Sequence, residues 1–393
     1  MTSNRRIAGT VGLVVLCAGA LTVWDASVTG APVPDNGVIR LLRVPHGGIQ
    51  PMAQVDAAGT LHLLYFNGDP SAGDVFYVTR RAEATAFSAP LRVNSQPNSV
   101  IAIGTVRGAH LALGADGRPH VAWMGSAIAQ PRGPDGQTPM LYTRLTDSGT
   151  RFEAQRNVVT HAFGLDGGGT LAAGGQGRVS VLWHADAGRG GEEHRRVWMT
   201  TSTDGGNTFA PEVAVSESGV CGCCGMSATV DRGGTVRALY RAFRPPESRD
   251  MYLLTSDDSG SEGHLLETWR IGACPMSTSS ITATDEAMAI AWETDGEVAW
   301  ALLDRQTSAI SAPLHPPKQG GHRKHPGVAL TGEGRILFVW TEGMAWSRGG
   351  TLHWQGYDSQ GHPTQISGSR GGVPVWSRPA VVADTDGTFT IIY

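Results

Sequence analysis

The sequence predicts an all-β protein and, within that class, a β-propeller. The chain has 393 residues with 53 Gly and 22 Pro, and 17% of its residues are charged, a composition typical of turn-rich β proteins. Alternating strands that end in an aromatic residue recur at intervals of 48 to 60 residues. This period fits four short strands with their loops, which make one propeller blade. The aromatic positions are Tyr65, Trp123, Trp183, Tyr240, Trp292, Trp340 and Tyr393.

The repeating unit predicts its strands in a fixed order. The first strand is rich in small residues, and a turn with Gly, as at 115–117, leads into the second strand, because hairpin turns need residues that tolerate positive φ. The second strands alternate, as in 179–183 and 336–340. A third strand follows, as in 140–143, and its end leads to a fourth. Four-stranded units in series, none able to bury both faces alone, predict a propeller.

The last unit predicts how the ring closes. It stops at Tyr393 after two strands, and residues 38–42 before the first unit can supply a further strand. Joining the two termini in one blade removes an open sheet edge, which is otherwise an aggregation hazard. We therefore favour seven blades in a single domain over 37–393. Six blades are the alternative, if the C-terminal pair packs outside the ring.

Residues 1–31 have the pattern of a signal peptide or an N-terminal anchor. Arg5 and Arg6 precede an apolar run over 7–24 and then small residues, the order found in signal peptides, and the run is close to the lower limit for a membrane span. We therefore expect an exported protein, periplasmic or extracellular, with membrane anchoring as the alternative to cleavage. The net charge of −4 and the pI near 6.3 show no basic excess and argue against nucleic acid as a partner.

Residues 202–209 (Ser-Thr-Asp-Gly-Gly-Asn-Thr-Phe) match the Asp-box pattern Ser-x-Asp-x-Gly-x-Thr-aromatic. A partial copy lies at 256–260 and a degenerate one at 147–152. In such a turn a carboxylate accepts backbone N–H bonds across a hairpin and Gly takes the left-handed position. On these residues the chain resembles the bacterial sialidase-like Asp-box (BNR) propeller proteins.

A closer resemblance covers nearly the whole exported region. The segments 48–51, 107–108, 166–169, 221–226, 249–252, 274–277 and 324–326 are similar to those of a group of exported propellers often labelled exo-sialidases by similarity. The Cys-x-Cys-Cys element at 221–224 is the specific marker of that group. The resemblance implies the fold and gives little about chemistry, because fold and function separate easily in propellers.

The resemblance also implies a hydrolase hypothesis. Sialidases use an arginine triad for the substrate carboxylate, a Tyr with a Glu partner as nucleophile, and an Asp as acid/base. Arg107, Arg241 and Arg249 are candidate arginines. Glu293 is a candidate carboxylate, but spacing assigns no Tyr–Glu pair. The expected substrate of such an exo-α-sialidase is a glycan bound at the channel mouth.

Sulfur and imidazole side chains are predicted to gather on one rim. In a propeller the first strand of each blade lines the channel and begins on the face where the second strand ends, so unit starts and second-strand ends lie together. Thiolate and thioether ligands select Cu(I), and imidazole suits Cu and Zn. The alternative is structural disulfides, which export permits. The predicted metal ligands are Cys221, Cys223, Cys224, Cys274, His325, His184, Met226 and Met276.

Three functional hypotheses follow. The first is an exported propeller with a copper-type site at the channel mouth, used in metal binding or in copper-dependent redox chemistry on a small molecule held by the three arginines. The second is a sialidase-type glycoside hydrolase that uses the same rim. The third is a non-catalytic, ligand-binding propeller held by disulfides.

Overall fold

The computed structural model of the chain describes residues 38–188, 190–317 and 322–393. The predicted signal peptide or anchor over 1–31 lies outside these residues. Within the described ranges, no helix has the length and apolar character needed to cross a membrane. Short 3-10 turns lie at Pro45–Gly47, Pro134–Gly136 and Gly175–Gly177.

Seven sheets follow one another along the chain, and each is one blade. The first described strand is β1 (Ile39–Leu42). Blade one contains β2 (Ile49–Val55), β3 (Leu61–Asp69), β4 (Ala72–Arg80) and β5 (Leu91–Arg92), and blade two contains β6 (His110–Leu113), β7 (Pro119–Met124), β8 (Met140–Arg144) and β9 (Arg156–Asn157). Blade three contains β10 (Gly169–Ala173), β11 (Val179–Ala185), β12 (Arg196–Ser202) and β13 (Val213–Ala214). Blades four and five contain β14 (Ser227–Val230), β15 (Val236–Arg244), β16 (Ser248–Asp257) and β17 (Gly260–Glu267); and β18 (Ser280–Ala283), β19 (Ala287–Thr294) and β20 (Glu297–Asp304). Blades six and seven contain β21 (Arg323–Leu330), β22 (Ile336–Glu342), β23 (Gly350–Tyr357) and β24 (Pro363–Val373); and β25 (Ala380–Ala383) and β26 (Phe389–Ile392), joined by β1.

The recurring aromatic residues lie on the second strands and fill the space between blades. Trp183 on β11 belongs to one buried cluster with Ala122 and Tyr142 of the preceding blade. Burying a large apolar side chain contributes roughly 1.5–3 kcal/mol, so one such residue per unit stabilises each blade interface. This packing explains the near-constant spacing seen in the sequence.

The last blade joins the two ends of the described chain. β26 lies between β25 and β1, and β1 pairs with it in parallel register from Ile39 opposite Phe389 to Leu42 opposite Ile392. The Tyr393 N–H donates to the Leu42 carbonyl at 3.0 Å. The predicted seven-bladed propeller, with its last blade closed by terminal strands, is confirmed, and the six-bladed alternative is wrong.

The antiparallel pairing of first and second strands creates the functional face. The start of β10 at Gly169 lies opposite Trp183 near the end of β11, and Ser227 of β14 lies opposite Leu239. The first strands line a central cavity of about 560 Å³. We call the face where first strands begin the channel mouth.

Candidate metal centre at the channel mouth

The Cys-x-Cys-Cys segment is fixed between blades four and five by its backbone. The Cys221 N–H donates to the carbonyl of Arg241 at the end of β15, at 2.9 Å. The Gly225 N–H donates to the Ser277 carbonyl of the next blade, also at 2.9 Å. These two bonds hold the intervening cysteines at the interface, where their side chains are buried.

Three sulfur atoms come together in this segment. The Sγ atom of Cys221 lies 3.3 Å from that of Cys223 and 3.7 Å from that of Cys224, and all three lie within 4.8 Å of one another as free thiols. A disulfide would join two sulfurs at about 2.05 Å. Metal–sulfur bonds of about 2.3 Å in a tetrahedral site place the sulfurs about 3.8 Å apart. The three sulfurs are therefore too far apart for a disulfide and close enough together that they could hold one metal ion.

The surroundings of the three sulfurs favour a thiolate at Cys224. Burial raises the pKa of this thiol, and hydrogen bonds from Cys221 and Cys223 lower it. The charge of Arg241 and the hydroxyl of Ser277, which lies 3.4 Å from Cys224 Sγ, act in the same direction. The pKa of Cys224 is therefore held well below its usual value. A low pKa favours metal binding, because the thiolate is the metal ligand.

Arg241 provides an uncompensated positive charge beside this thiolate. Its Nε donates to Ser277 Oγ at 3.0 Å and its Nη1 to the Arg249 carbonyl at 2.7 Å, and its Nη2 donates to the Glu293 carbonyl. All three acceptors are neutral, while the arginine side chain is almost fully buried. A buried charge is costly unless an opposite charge lies near it. The Cys224 thiolate supplies an opposite charge close to Arg241, whereas the pKa values of Cys221 and Cys223 are raised.

Two further predicted ligands reach the segment. Met276 packs against the three cysteines, so its side chain borders the sulfur cluster. His184 lies on β11, and its Nε2 donates to the Cys224 carbonyl at 3.0 Å, while its Nδ1 is buried without a partner. Gly167 permits this approach, because a Cβ there would lie 2.8 Å from the His184 ring and collide with the Gly222 carbonyl.

Three predicted ligands lie apart from the sulfur cluster. Cys274 is exposed and is not among the sulfurs within 4.8 Å of one another. Met226 packs into the apolar core that includes Val220 and Tyr240. His325 is buried with its Nδ1 3.3 Å from Thr278 Oγ1. The metal-binding group that the structure assembles is thus smaller than the predicted one.

The candidate arginines lie at the same mouth, directed at protein acceptors. Arg107 donates from Nη2 to Asp166 Oδ1 at 3.3 Å and from Nε to the Asp166 carbonyl at 2.7 Å. Arg249 donates from Nη2 to Glu192 Oε2 at 2.8 Å. Together with the contacts of Arg241, these bonds engage each candidate arginine within the protein.

Glu293 forms a buried ion pair at the end of β19. Its Oε1 accepts from Lys324 Nζ at 2.8 Å, and its Oε2 is buried without a partner. Burial raises the pKa of this carboxyl, and the Lys324 charge opposes that shift. The pair lies across the interface of blades five and six.

The chain has matches among solved structures. An α-L-arabinanase from Penicillium chrysogenum, complexed with arabinobiose, is 13% identical with a TM-score of 0.51, over 81% of this chain and 95% of that one. A protein of unknown function from Dyadobacter fermentans is 14% identical with a TM-score of 0.50, over 84% and 96% of the two chains. A Hadza microbial sialidase is 12% identical with a TM-score of 0.47, over 80% and 70%. The likeness is one of fold. Neither a protein-family model nor a curated protein matches this chain.

The structure adds residues that sequence reasoning missed. Ser277 connects Arg241 to Cys224, and its position directly after Met276 at a unit start is the signal that could have found it. The guanidinium of Arg195 packs over Gly222, where any side chain would collide with it. Arg195 comes from a loop between second and third strands, which carries no periodic signal. Cys221 and Cys224 also have the Cys-x2-Cys spacing that is common among metal ligands.

Backbone strain marks the same face. Four non-glycine residues at or near the starts of first strands have φ between 51° and 58°: Gln50, Met276, His325 and Trp376. Each such residue costs about 1–3 kcal/mol, and such residues cluster at binding sites. The same conformation therefore recurs at the channel mouth in four blades, although other residues, such as Gln176 and Ser308, adopt it elsewhere.

Proposed function

We propose that this chain is an exported β-propeller that binds a soft metal ion, copper(I), through Cys221, Cys223 and Cys224. The observation that supports it is the group of three buried, free thiols whose sulfur atoms lie within 4.8 Å of one another. Soft thiolate ligands select Cu(I), zinc and iron–sulfur clusters. The buried charge of Arg241, whose hydrogen-bond acceptors are neutral, favours the thiolate form of Cys224.

Copper(I) fits the surroundings better than zinc. Structural zinc sites are four-coordinate with Cys and His ligands, whereas the cluster has three thiols and packs against the side chain of Met276. Thioether is a ligand type that Cu(I) accepts. His184 uses its Nε2 on a backbone carbonyl, so it supports the loop and leaves sulfur as the donor set.

Metal binding is favoured over catalysis on the metal. The side chains of Cys221, Cys223 and Cys224 are 1%, 5% and 2% exposed. A catalytic metal needs an open coordination position for water or substrate. An ion held by these sulfurs would be shielded, which supports a function in holding copper outside the cytoplasm. The small molecule that we expect at the channel mouth would then bind beside this centre.

We also propose that the chain is an Asp-box propeller. The geometry of the turn after β12 supports this proposal. The Asp204 carboxylate accepts from the Thr208 N–H at 2.9 Å and from Ser202 Oγ at 2.7 Å. Phe209 packs edge-on to Tyr142 of the preceding blade, with centroids 4.8 Å apart. The sialidase-type hydrolase gains no comparable support, because each candidate arginine already donates to at least one protein acceptor, although two nitrogens of Arg249 are buried without a partner.

Copper retention tests the proposal. The purified protein, reduced and loaded anaerobically with copper(I), is expected to retain about one copper ion per chain after desalting, because soft thiolates hold Cu(I). Cys223→Ser should lose most of that copper, since a hydroxyl is a harder and poorer ligand. The measurement is metal content by mass spectrometry, with folding checked by circular dichroism.

Cys274→Ser is the matched control. The same chemical change at an exposed cysteine outside the cluster should leave copper retention unchanged. Thiol labelling of the unreduced protein after unfolding should modify Cys221, Cys223, Cys224 and Cys274, whereas each disulfide would protect two of them. Equal copper retention by Cys223→Ser and the wild type would overturn the assignment, as would a wild type that retains none.

A further inference from the structure

The central channel contains a cation without a carboxylate partner. Arg378 precedes β25 and lines the cavity of about 560 Å³. Its Nη2 donates to Met52 Sδ at 3.0 Å, and its Nε is enclosed without a partner. A thioether is a weak acceptor. In the ranges that the structure describes, no carboxylate forms an ion pair with this arginine, so its charge is not neutralised by the protein.

Two imidazoles lie close to this charge. Burial lowers the pKa of His110 to about 3, and the charge of Arg378 adds to the shift. Burial likewise holds the pKa of His325 well below its usual value, with the charges of Lys324 and Arg378 adding to it. Both rings are therefore neutral at ordinary pH, and each has one N–H to donate.

The remaining polar side chains of the channel are hydroxyls, the amide of Gln54 and one distant carboxylate. The hydroxyl-bearing residues Thr170, Ser227 and Ser279 line its mouth end, with Ser227 Oγ 3.0 Å from Ser279 Oγ. Asp56 is the other charged lining residue, and it follows the far end of β2. Its carboxylate already accepts from the N–H groups of residues 58 and 60 and contacts His62. The mouth end thus presents positive charge and hydrogen-bond donors.

We propose that the channel mouth binds a small oxyanion, a carboxylate or phosphate group, on the guanidinium of Arg378. The planar fork of a guanidinium matches these groups in a bidentate geometry. The ring of His110 and the channel hydroxyls provide further donors, and a volume of about 560 Å³ lies within the range of small-molecule sites. An anion here compensates a charge that the fold leaves enclosed.

This site is distinct from the sulfur cluster but adjacent to it. Three consecutive residues connect the two: Ser277 contacts Cys224, Thr278 contacts His325, and Ser279 lines the channel. The oxyanion site shares no residue with the proposed copper ligands. Its failure and the failure of the copper assignment are therefore distinguishable.

Titration calorimetry tests the proposal. Sodium phosphate, sodium succinate and sodium chloride are titrated separately into the full-length protein at constant ionic strength. Phosphate or succinate is expected to bind saturably at one site per chain, and chloride is not, because chloride cannot make a bidentate contact. Preference between phosphate and succinate identifies which oxyanion class the site takes. Absence of saturable binding by both oxyanions overturns the proposal.

Variants assign the site. Arg378→Met should weaken binding about tenfold or more, because hydrogen bonds to charged groups are strong. Arg378→Lys keeps the positive charge but lacks the planar guanidinium group, so it should bind the oxyanion more weakly than the wild type. If Arg378→Met does not fold, Arg378→Lys tests whether Arg378 forms the site. Arg348→Met, at an exposed arginine, and Cys223→Ser should bind as the wild type does. Unchanged affinity in the Arg378 variants overturns the proposal.

Discussion

At the scale of single residues, His120 on β7 determines part of the response to acid. Its Nδ1 lies 2.7 Å from the Tyr142 hydroxyl. Burial lowers the pKa of His120 to about 4, with Asp116 opposing the shift and Arg144 and Arg118 adding to it. In the unfolded chain the pKa of a histidine side chain is about 6.5. Between about pH 6.5 and about pH 4 the unfolded state binds more protons, so the folded state loses stability as pH falls.

Replacing His120 should reduce this acid sensitivity. The loss in free energy of unfolding between pH 7 and pH 5 is expected to be smaller by about 2 kcal/mol in His120→Gln than in the wild type. Urea unfolding at the two pH values measures it. His362→Gln, at an exposed turn, should keep the wild-type pH dependence. Identical pH dependence in all three proteins would show that His120 is protonated in the folded state.

The site residues differ in how well the sequence predicts them. Repeat phase correctly brings Cys221 and Cys224 near His184 and Arg241, because strand ends on one face must meet. The position of a residue within the repeat does not predict the direction of its side chain. Cys274, two residues before Met276, is therefore predicted as a ligand although it is exposed. The position of a loop residue such as Arg195, which packs over Gly222, depends on the conformation of its loop. Loops have no periodic sequence pattern, so the sequence does not predict this contact.

At the scale of elements, the turn after β12 contributes to stability. Ser202 Oγ accepts from the buried Gly206 N–H at 2.8 Å and donates to Asp204 Oδ1 at 2.7 Å. Ser202→Ala should lower the free energy of unfolding by about 1–2 kcal/mol, because a buried N–H loses its acceptor. Ser148→Ala, in the exposed degenerate turn, should change it by less than about 0.5 kcal/mol. Thermal and urea unfolding measure both, and equal effects would contradict a special role for the turn.

The sequence predicts inner strands better than outer ones. Second strands are buried on both faces, so apolar residues and a terminal aromatic mark them clearly, as on β11. Fourth strands pair on one side only and vary widely in length. β5, β9 and β13 have two residues each, β17 and β24 have eight and eleven, and blade five has three strands within the described ranges. An exposed edge strand needs little apolar pattern. The chain therefore predicts the number of blades but not their outer edges.

At the scale of the whole molecule, the channel mouth collects the unsatisfied polar groups. Eleven buried side-chain N and O atoms among the described residues lack a hydrogen-bond partner, and eight of them lie at this mouth. Buried polar groups are normally satisfied by protein, water or ligand. Their concentration on one face supports both the metal and the oxyanion proposals. The residues concerned are Gln50, His184, Arg195, Arg249, Glu293, Trp376 and Arg378.

Ring closure through β26 should decide whether the protein folds at all. A chain that ends at Asp384 lacks β26, so β25 and β1 lose the strand that joins them. It also loses the buried side chains of Phe389 and Ile391 with the rest of that strand. Each contributes roughly 1.5–3 kcal/mol, against a total stability of about 5–15 kcal/mol for a typical domain. We therefore expect no soluble, protease-resistant protein from the truncated chain.

Arg40→Ala is the control for this truncation. It removes the half-exposed ion pair with Asp384, 3.4 Å long, and should lower the free energy of unfolding by no more than about 1 kcal/mol. Recovery of a soluble truncated chain that resists limited proteolysis as the wild type does would show that the ring closes without β26.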